Sequence, residues 1–275
     1  MANRIVGDTW ATPDIPSYGQ EIEYDPAIYG GMTMLMRAFE NYVLSGMWDG
    51  SGPRELRLPP INLFDYDAFR VIVRMLRMLR IRFTESNTYP YGRHIHIKPF
   101  NNLTRVFNRN LDYMTLLLSP FMGMIKEQRG DYMIVRFRRD LQHWASPFIK
   151  HVDDHYRFVS LSFEHNTIEV RINERSPIEA YTAMLIYYAW LKLYDYLPFA
   201  VYKSEENETV VLHDSENGKV AIWEGNIIKV SKSVLRRLIN QALNYLSDNT
   251  PKRIMRLARK VVRNVMRGNY VVEPT

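Results

Sequence analysis

At 275 residues, 46% of them hydrophobic and 24% charged, the chain can build one large domain or two modest ones around a sizeable core. It has no cysteine, which excludes disulfides, thiolate zinc sites and cysteine nucleophiles, so any metal must be held by carboxylates and imidazoles. A formal charge of +6 suits either phosphate-bearing partners or an arginine-rich solvated surface.

Met1 to Asp14 lacks an apolar run, so no signal peptide is expected there and a cytoplasmic location is. Tyr18 to Tyr24 reads as a strand with Gly19 at its mouth and Pro26 beyond its end. A helix is predicted from about Met32 to Ser45, then a turn at Asp49-Gly50-Ser51-Gly52-Pro53. Glu55 to Leu58 alternates in polarity until Pro59-Pro60 stops it. Asp65 or Asp67 caps a helix to about Phe83, whose Arg70, Arg74, Arg77 and Arg80 form one solvated face.

Arg93 to Lys98 is a predicted strand, followed by a mainly helical stretch from about Leu103 to Lys126 and a strand from Tyr132 to Arg138. Phe158 to Phe163 and Thr167 to Asn173 read as two strands joined around His165-Asn166. The most apolar stretch, Ile178 to Leu197, is interrupted by Glu179, Lys192 and Asp195; it is a buried helix, not a membrane span. A hairpin follows, Thr209 to Leu212 with Lys219 to Trp223, turned near Asn217-Gly218. Two helices finish the chain, Ser231 to Leu246 and Pro251 to Arg267, the second closed by Gly268. Without a regular βαβ rhythm, the pattern predicts an α+β fold with an antiparallel sheet. The expected division is 1–200 for a first domain and 201–275 for a hairpin and helical extension.

Strand faces carry the chemical information, because residues two apart point the same way. Glu21 and Glu23 share a face, with Ile22 and Tyr24 behind. His94, His96 and Lys98 share another, backed by Ile95 and Ile97. Glu169, Arg171 and Asn173 share a third, backed by Ile168, Val170 and Ile172. A Glu pair, a His pair and a Glu-Arg pair are the ligand chemistry of hard divalent cations and phosphates. Clustered carboxylates also repel unless a cation lies between them.

Four ordered blocks resemble the amidoligase family, a branch of the glutamine synthetase and glutamate–cysteine ligase superfamily of carboxylate–amine ligases. Tyr18-Gly19-Gln20-Glu21-Ile22-Glu23-Tyr24 is similar to its G-x-E-x-E strand. Trp48-Asp49-Gly50-Ser51 with Glu55 and Pro59-Pro60 resembles its D-G-S, E and proline pair. Gly92-Arg93-His94-Ile95-His96-Ile97 resembles G-x-H-x-H, and Thr167-Ile168-Glu169-Val170-Arg171 resembles T-x-E-x-R. The resemblance implies a curved antiparallel sheet as the floor of an ATP site, with helices on its other face. It implies one divalent cation, Mg²⁺ or Mn²⁺, on Glu21, His94 and Glu169, and a second on Glu23 and Glu55. His96 and Arg171 would then be catalytic and contact phosphate or the carboxylate substrate, with Lys98 as a further cofactor-binding residue. The implied partners are a carboxylate and an amine, each a small molecule, a peptide or a protein side chain, and superfamily relatives often assemble into oligomers.

Two other readings stay open. One is a non-catalytic viral or structural protein that keeps the fold. The other is nucleic-acid binding through the last helix, where Lys252, Arg253, Arg256, Arg259, Lys260, Arg263 and Arg267 stand without one acidic residue between Pro251 and Gly268. The alternative to that is a packed helix with a basic solvated face. No G-x-S-x-G, P-loop or dinucleotide fingerprint is present, so serine hydrolase, P-loop and Rossmann sites are not indicated.

Overall fold

The computed structural model describes residues 16–24, 54–58, 60–78, 93–100, 111–123, 125–137, 158–162, 166–171, 173, 175–194, 199–204 and 209–268. The helix predicted from Met32 to Ser45 and the turn at Asp49 to Pro53 lie outside the described residues. In chain order the early strands are β1 (Ser17–Tyr24), β2 (Arg54–Arg57), β3 (Ile61–Asn62) and β4 (Arg93–Lys98). Next come β5 (Ile125–Arg129), β6 (Tyr132–Arg136), β7 (Val159–Ser162) and β8 (Thr167–Val170). The last are β9 (Ala200–Ser204), β10 (Thr209–Asp214), β11 (Gly218–Glu224) and β12 (Ile227–Ser231). The helices are α1 (Tyr66–Met78), α2 (Leu111–Leu117), α3 (Pro177–Leu193), α4 (Lys232–Asn249) and α5 (Lys252–Met266). The chain divides into two units, Met1–Leu103 with Leu161–Asn173, and Thr104–Ser160 with Glu174–Thr275.

The sheet of the first unit runs β2-β1-β4-β8-β7, with β3 also paired to β1; the pairings of β1 with β2, β3 and β4, and of β4 with β8, are antiparallel. Its apolar row is set by alternation: Tyr18 lies opposite Ile97, and Ile95 and Ile97 lie opposite Val170 and Ile168. All five are at most 1% exposed, and Tyr18 meets Phe69 of α1 edge to face. Each such side chain contributes about 1.5–3 kcal/mol through burial. Of the two candidate caps, Asp65 begins α1, its Oδ1 accepting the Asp67 and Ala68 amides. Asp67 sits exposed in the first turn, and Arg70 and Arg74 face solvent as their spacing predicts.

The second unit holds the other sheet, ordered β5-β6-β12-β11-β10-β9. Its largest departure from expectation lies between residues 111 and 129. The helix predicted to run to Lys126 stops at Leu117, passes through a 3₁₀ turn at Ser119–Phe121, and gives way to β5. Pro120 supplies no amide to continue an α-helix. Gly123 then lets the chain cross close to β6, where a Cβ would lie 2.1 Å from Val135 Cγ1. The β5–β6 hairpin closes on Gly130-Asp131, with Gly130 at φ +59° and Arg129 opposite Tyr132.

The predicted hairpin is present as β10 and β11, turning through Gly218 at φ +72°, but it forms the interior of a larger sheet. Strands β9 and β12 flank it, and the sequence signal for β12 is the β11–β12 turn at Gly225-Asn226. Helix α3 is buried from Pro177 to Leu191, so apolar residues occur on every side of it. It ends at Leu193, short of the predicted Leu197. It packs with α4 and α5, and Trp190 Nε1 donates to the Leu238 carbonyl. No helix among the described residues is long and apolar enough to cross a membrane.

Asp131 ties the β5–β6 turn to the start of α4. Its carboxylate accepts from the Ser233 amide and from the Ser231 and Ser233 hydroxyls, while Ser231 Oγ caps the Val234 amide. Burial alone would raise the Asp131 carboxyl; the hydrogen bonds from Ser231 and Ser233 and the nearby Lys232 charge outweigh it and lower it below its ordinary value of 3.8. A depressed folded value means the stabilisation is fully present above the unfolded value and lost as pH falls through the folded one. Asp131→Ala is therefore expected to lower stability by about 1 kcal/mol at pH 7. Urea unfolding of both proteins should show that difference shrinking as the medium is acidified below 3.8.

Candidate metal centre

Three neighbouring strands of the first unit, β1, β4 and β8, assemble the site by register alone. Glu21 lies opposite His94, and His96 lies opposite both Gly19 and Glu169. Directly opposed residues of antiparallel strands project from one face, so these groups converge. One ligand atom from each of Glu21, His94 and Glu169 falls within 4.8 Å of the others. Gly19, opposite His96, adds no side chain to the crowd.

Glu169 is the hub. Its Oε1 is 2.9 Å from His94 Nδ1, and its Oε2 accepts from Arg171 Nη2 at 2.9 Å. Glu21 Oε2 stands 3.6 Å from His94 Nδ1 and 3.3 Å from His96 Nε2. The far nitrogen of His96, Nδ1, is 3.0 Å from Thr167 Oγ1. The cluster is covered: Glu169 and His96 are buried, while Glu21, His94 and Arg171 keep partial access.

Burial by itself would raise the Glu169 carboxyl. The hydrogen bond and charge of His94, with the charges of Arg171 and His96, overcome that and hold it well below the usual carboxylate range. Glu169 is thus an anion at neutral pH, as a metal ligand must be. Two carboxylates and one imidazole form a donor set that fits Mn²⁺ or Mg²⁺. His94 Nδ1 and Glu169 Oε1 lie 2.9 Å apart, so a hydrogen bond between them and a bound cation would compete for the same two ligand atoms.

The remaining expected residues are placed less completely. Backbone register sets Glu23 opposite Glu55 across β1 and β2, but their side chains lie outside the described residues. Lys98 is buried at the far end of β4 from His94, opposite Ser17, and Asn173 is buried beyond β8. Thr167 went unassigned in the sequence, although it stands two residues before Glu169 and so on the same face. Its contact with His96 fixes that ring, a positioning role that strand parity could have signalled.

No protein-family model matches the chain, and no curated protein matches it. Among solved structures the chain is similar to one in the crystal structure of the complex between the prokaryotic ubiquitin-like protein Pup and its ligase PafA. The likeness has 10% identity and a TM-score of 0.48, covering 98% of this chain and 66% of that one. This chain therefore spans just under two thirds of that chain's length, and a likeness so distant assigns neither family nor activity.

Proposed function

We propose that the chain is an ATP-dependent carboxylate–amine ligase that forms an amide bond through an acyl phosphate. The observation that carries this reading is the convergence of Glu21, His94 and Glu169 within 4.8 Å, with Arg171 docked on Glu169. Those residues come from three of the four ordered blocks that resemble the amidoligase family.

A carboxylate resists attack by an amine because it is ionised and its oxygen leaves poorly. Phosphoryl transfer from ATP to that oxygen forms an O–P bond and releases ADP. The amine then attacks the acyl carbon, phosphate departs with its bonding electrons, and the ammonium loses a proton. Such chemistry asks mainly for positioning and charge neutralisation. Glu21, His94 and Glu169 would hold one divalent cation, and Glu23 with Glu55 a second; when bound, the ions neutralise phosphate charge. Arg171, oriented by Glu169, presents a planar fork suited to phosphate or carboxylate oxygens. His96, fixed by Thr167, and Lys98 complete the polar row as phosphate contacts. The carboxylate and amine substrates are small molecules, peptides or protein side chains.

Calorimetric titration with Mn²⁺ tests the reading. Glu21→Ala should weaken binding by at least roughly 10–100-fold, and affinity should rise as pH increases from 5 to 7, because an imidazole binds metal only in its neutral form. Phosphate release from ATP with Mg²⁺ should fall in parallel. Equal metal affinity in wild type and variant would remove the proposed ligand set. Metal and ATP binding without phosphate release in any acceptor mixture would mark a protein that keeps the fold but not the catalysis.

A further inference from the structure

The chain's excess positive charge has one address. Of 36 Lys and Arg residues, seven lie between Lys252 and Arg267 with no Asp or Glu among them, leaving 29 elsewhere against 30 Asp and Glu. The net charge of +6 is thus more than accounted for by α5 together with Arg267 at its C-cap. All seven cations are exposed. Among the described residues, Arg256, Lys260 and Arg263 take part in no ion pair, and Arg259 donates only to the neutral Ser247 hydroxyl.

An ordinary solvated face mixes signs and neutral groups, as α4 does. There Arg237 is paired with Asp214, Lys232 donates to Gln128, and Asn240, Asn244 and Asp248 fill much of the remaining exposed surface. Along α5 successive turns present Arg256, then Arg259 and Lys260, then Arg263, with Arg267 at the C-cap. Like charges at three- and four-residue spacing repel and destabilise a helix. The fold nevertheless retains them along a rod of about 22 Å.

From this we infer that the exposed face of α5 binds the phosphodiester backbone of nucleic acid. Cations recur about every 5.4 Å along the helix, and a nucleic-acid strand offers a phosphate roughly every 3.4 Å, so each helical turn can meet one. Charge complementarity therefore extends over the whole element rather than a single point. A membrane surface suits the helix less well. An amphipathic helix lying on lipid inserts its apolar face, and here Ile254, Met255, Ala258, Val261 and Val265 are buried within the protein. The exposed face carries no aromatic residue to take their place. The contacts are to phosphate, so binding is salt-dependent and indifferent to base sequence. This inference stands apart from the ligase reading and does not rest on it.

Fluorescence anisotropy with the full chain and labelled 20-nucleotide single-stranded RNA, single-stranded DNA and duplex DNA is the test. Binding to at least one is expected at 50 mM salt, weakening about 10²-fold by 200 mM. Arg256→Gln/Lys260→Gln/Arg263→Gln should weaken it at least tenfold and flatten the log–log salt slope by about 2–3, and Arg263→Gln alone by about 1. These positions are exposed, so thermal unfolding and Mn²⁺ binding should stay unchanged; Arg236→Gln on α4 should leave nucleic-acid affinity as it was. No oligonucleotide binding at 50 mM salt would overturn the inference. So would full affinity in the triple variant, or binding to phosphatidylserine vesicles while no oligonucleotide binds.

Discussion

Under the proposed ligase function, Glu169→Gln should lower ATP-dependent phosphate release by roughly 10²–10³-fold or more, and it should destabilise the protein by about 2–3 kcal/mol. Both effects follow from one carboxylate serving two neighbours. Glu169 meets His94 through one oxygen and Arg171 through the other, in a buried position. The amide keeps the shape and one acceptor oxygen but removes the negative charge, so Arg171 loses its counter-ion. Glu21→Gln makes a useful contrast. Glu21 sits at 3.3 Å and 3.6 Å from its histidines and is the more accessible carboxylate, so its loss should weaken metal binding with a smaller effect on stability.

The pH dependence has a definite sign. Because the folded Glu169 carboxyl is depressed, its contribution is complete above the ordinary value of 4.5 and disappears as pH falls through the folded value. The stability difference between wild type and Glu169→Gln should therefore be largest near neutrality and close under acid. Urea midpoints measured from pH 7 downward would show this. A difference that stays constant down to the acid limit would mean that Glu169 is not held as an anion by its neighbours.

The polar face is legible in the sequence because strand parity is strict. Once Glu21, His94 and Glu169 each fall on an ionisable row, pairing β1 with β4 and β4 with β8 brings them within reach. Periodicity could not reveal which residue would dominate. Glu169 becomes the hub because register places it across from His96 and beside His94, and register depends on partners distant in sequence. The overlooked strands have a similar cause. Glu127, Gln128 and Arg129 of β5 are exposed at a sheet edge, so no apolar alternation marks them as strand. The signal was the glycine: Gly130-Asp131 and Gly225-Asn226 are both two-residue hairpin turns. Residues 111 to 117 did form a helix; what ended it was local, Pro120 and then the tight crossing at Gly123.

Glu179 presents the opposite case, a charge that read as an interruption of an apolar helix and proves to be part of its beginning. Ser176 caps α3, accepting from the Glu179 amide, with Pro177 in the first turn; Ser-x-x-Glu is the spacing of a capping box. The Glu179 side chain is fully buried, and its Oε2 accepts from Arg175 Nε, itself almost wholly buried. Arg175→Ala takes that guanidinium away from a fully buried carboxylate. The expected cost is about 3–5 kcal/mol, a large share of the roughly 5–15 kcal/mol that holds a typical domain together. Removing both charges with residues of similar volume avoids burying one charge without its opposite, so Arg175→Met/Glu179→Met should recover most of the loss. A double-mutant cycle followed by urea unfolding separates the possibilities. A large loss in Arg175→Ala with recovery in the double variant means the ion pair matters chiefly because neither member tolerates burial alone. If instead the double variant is as unstable as Arg175→Ala, the pair itself contributes net stability to the start of α3.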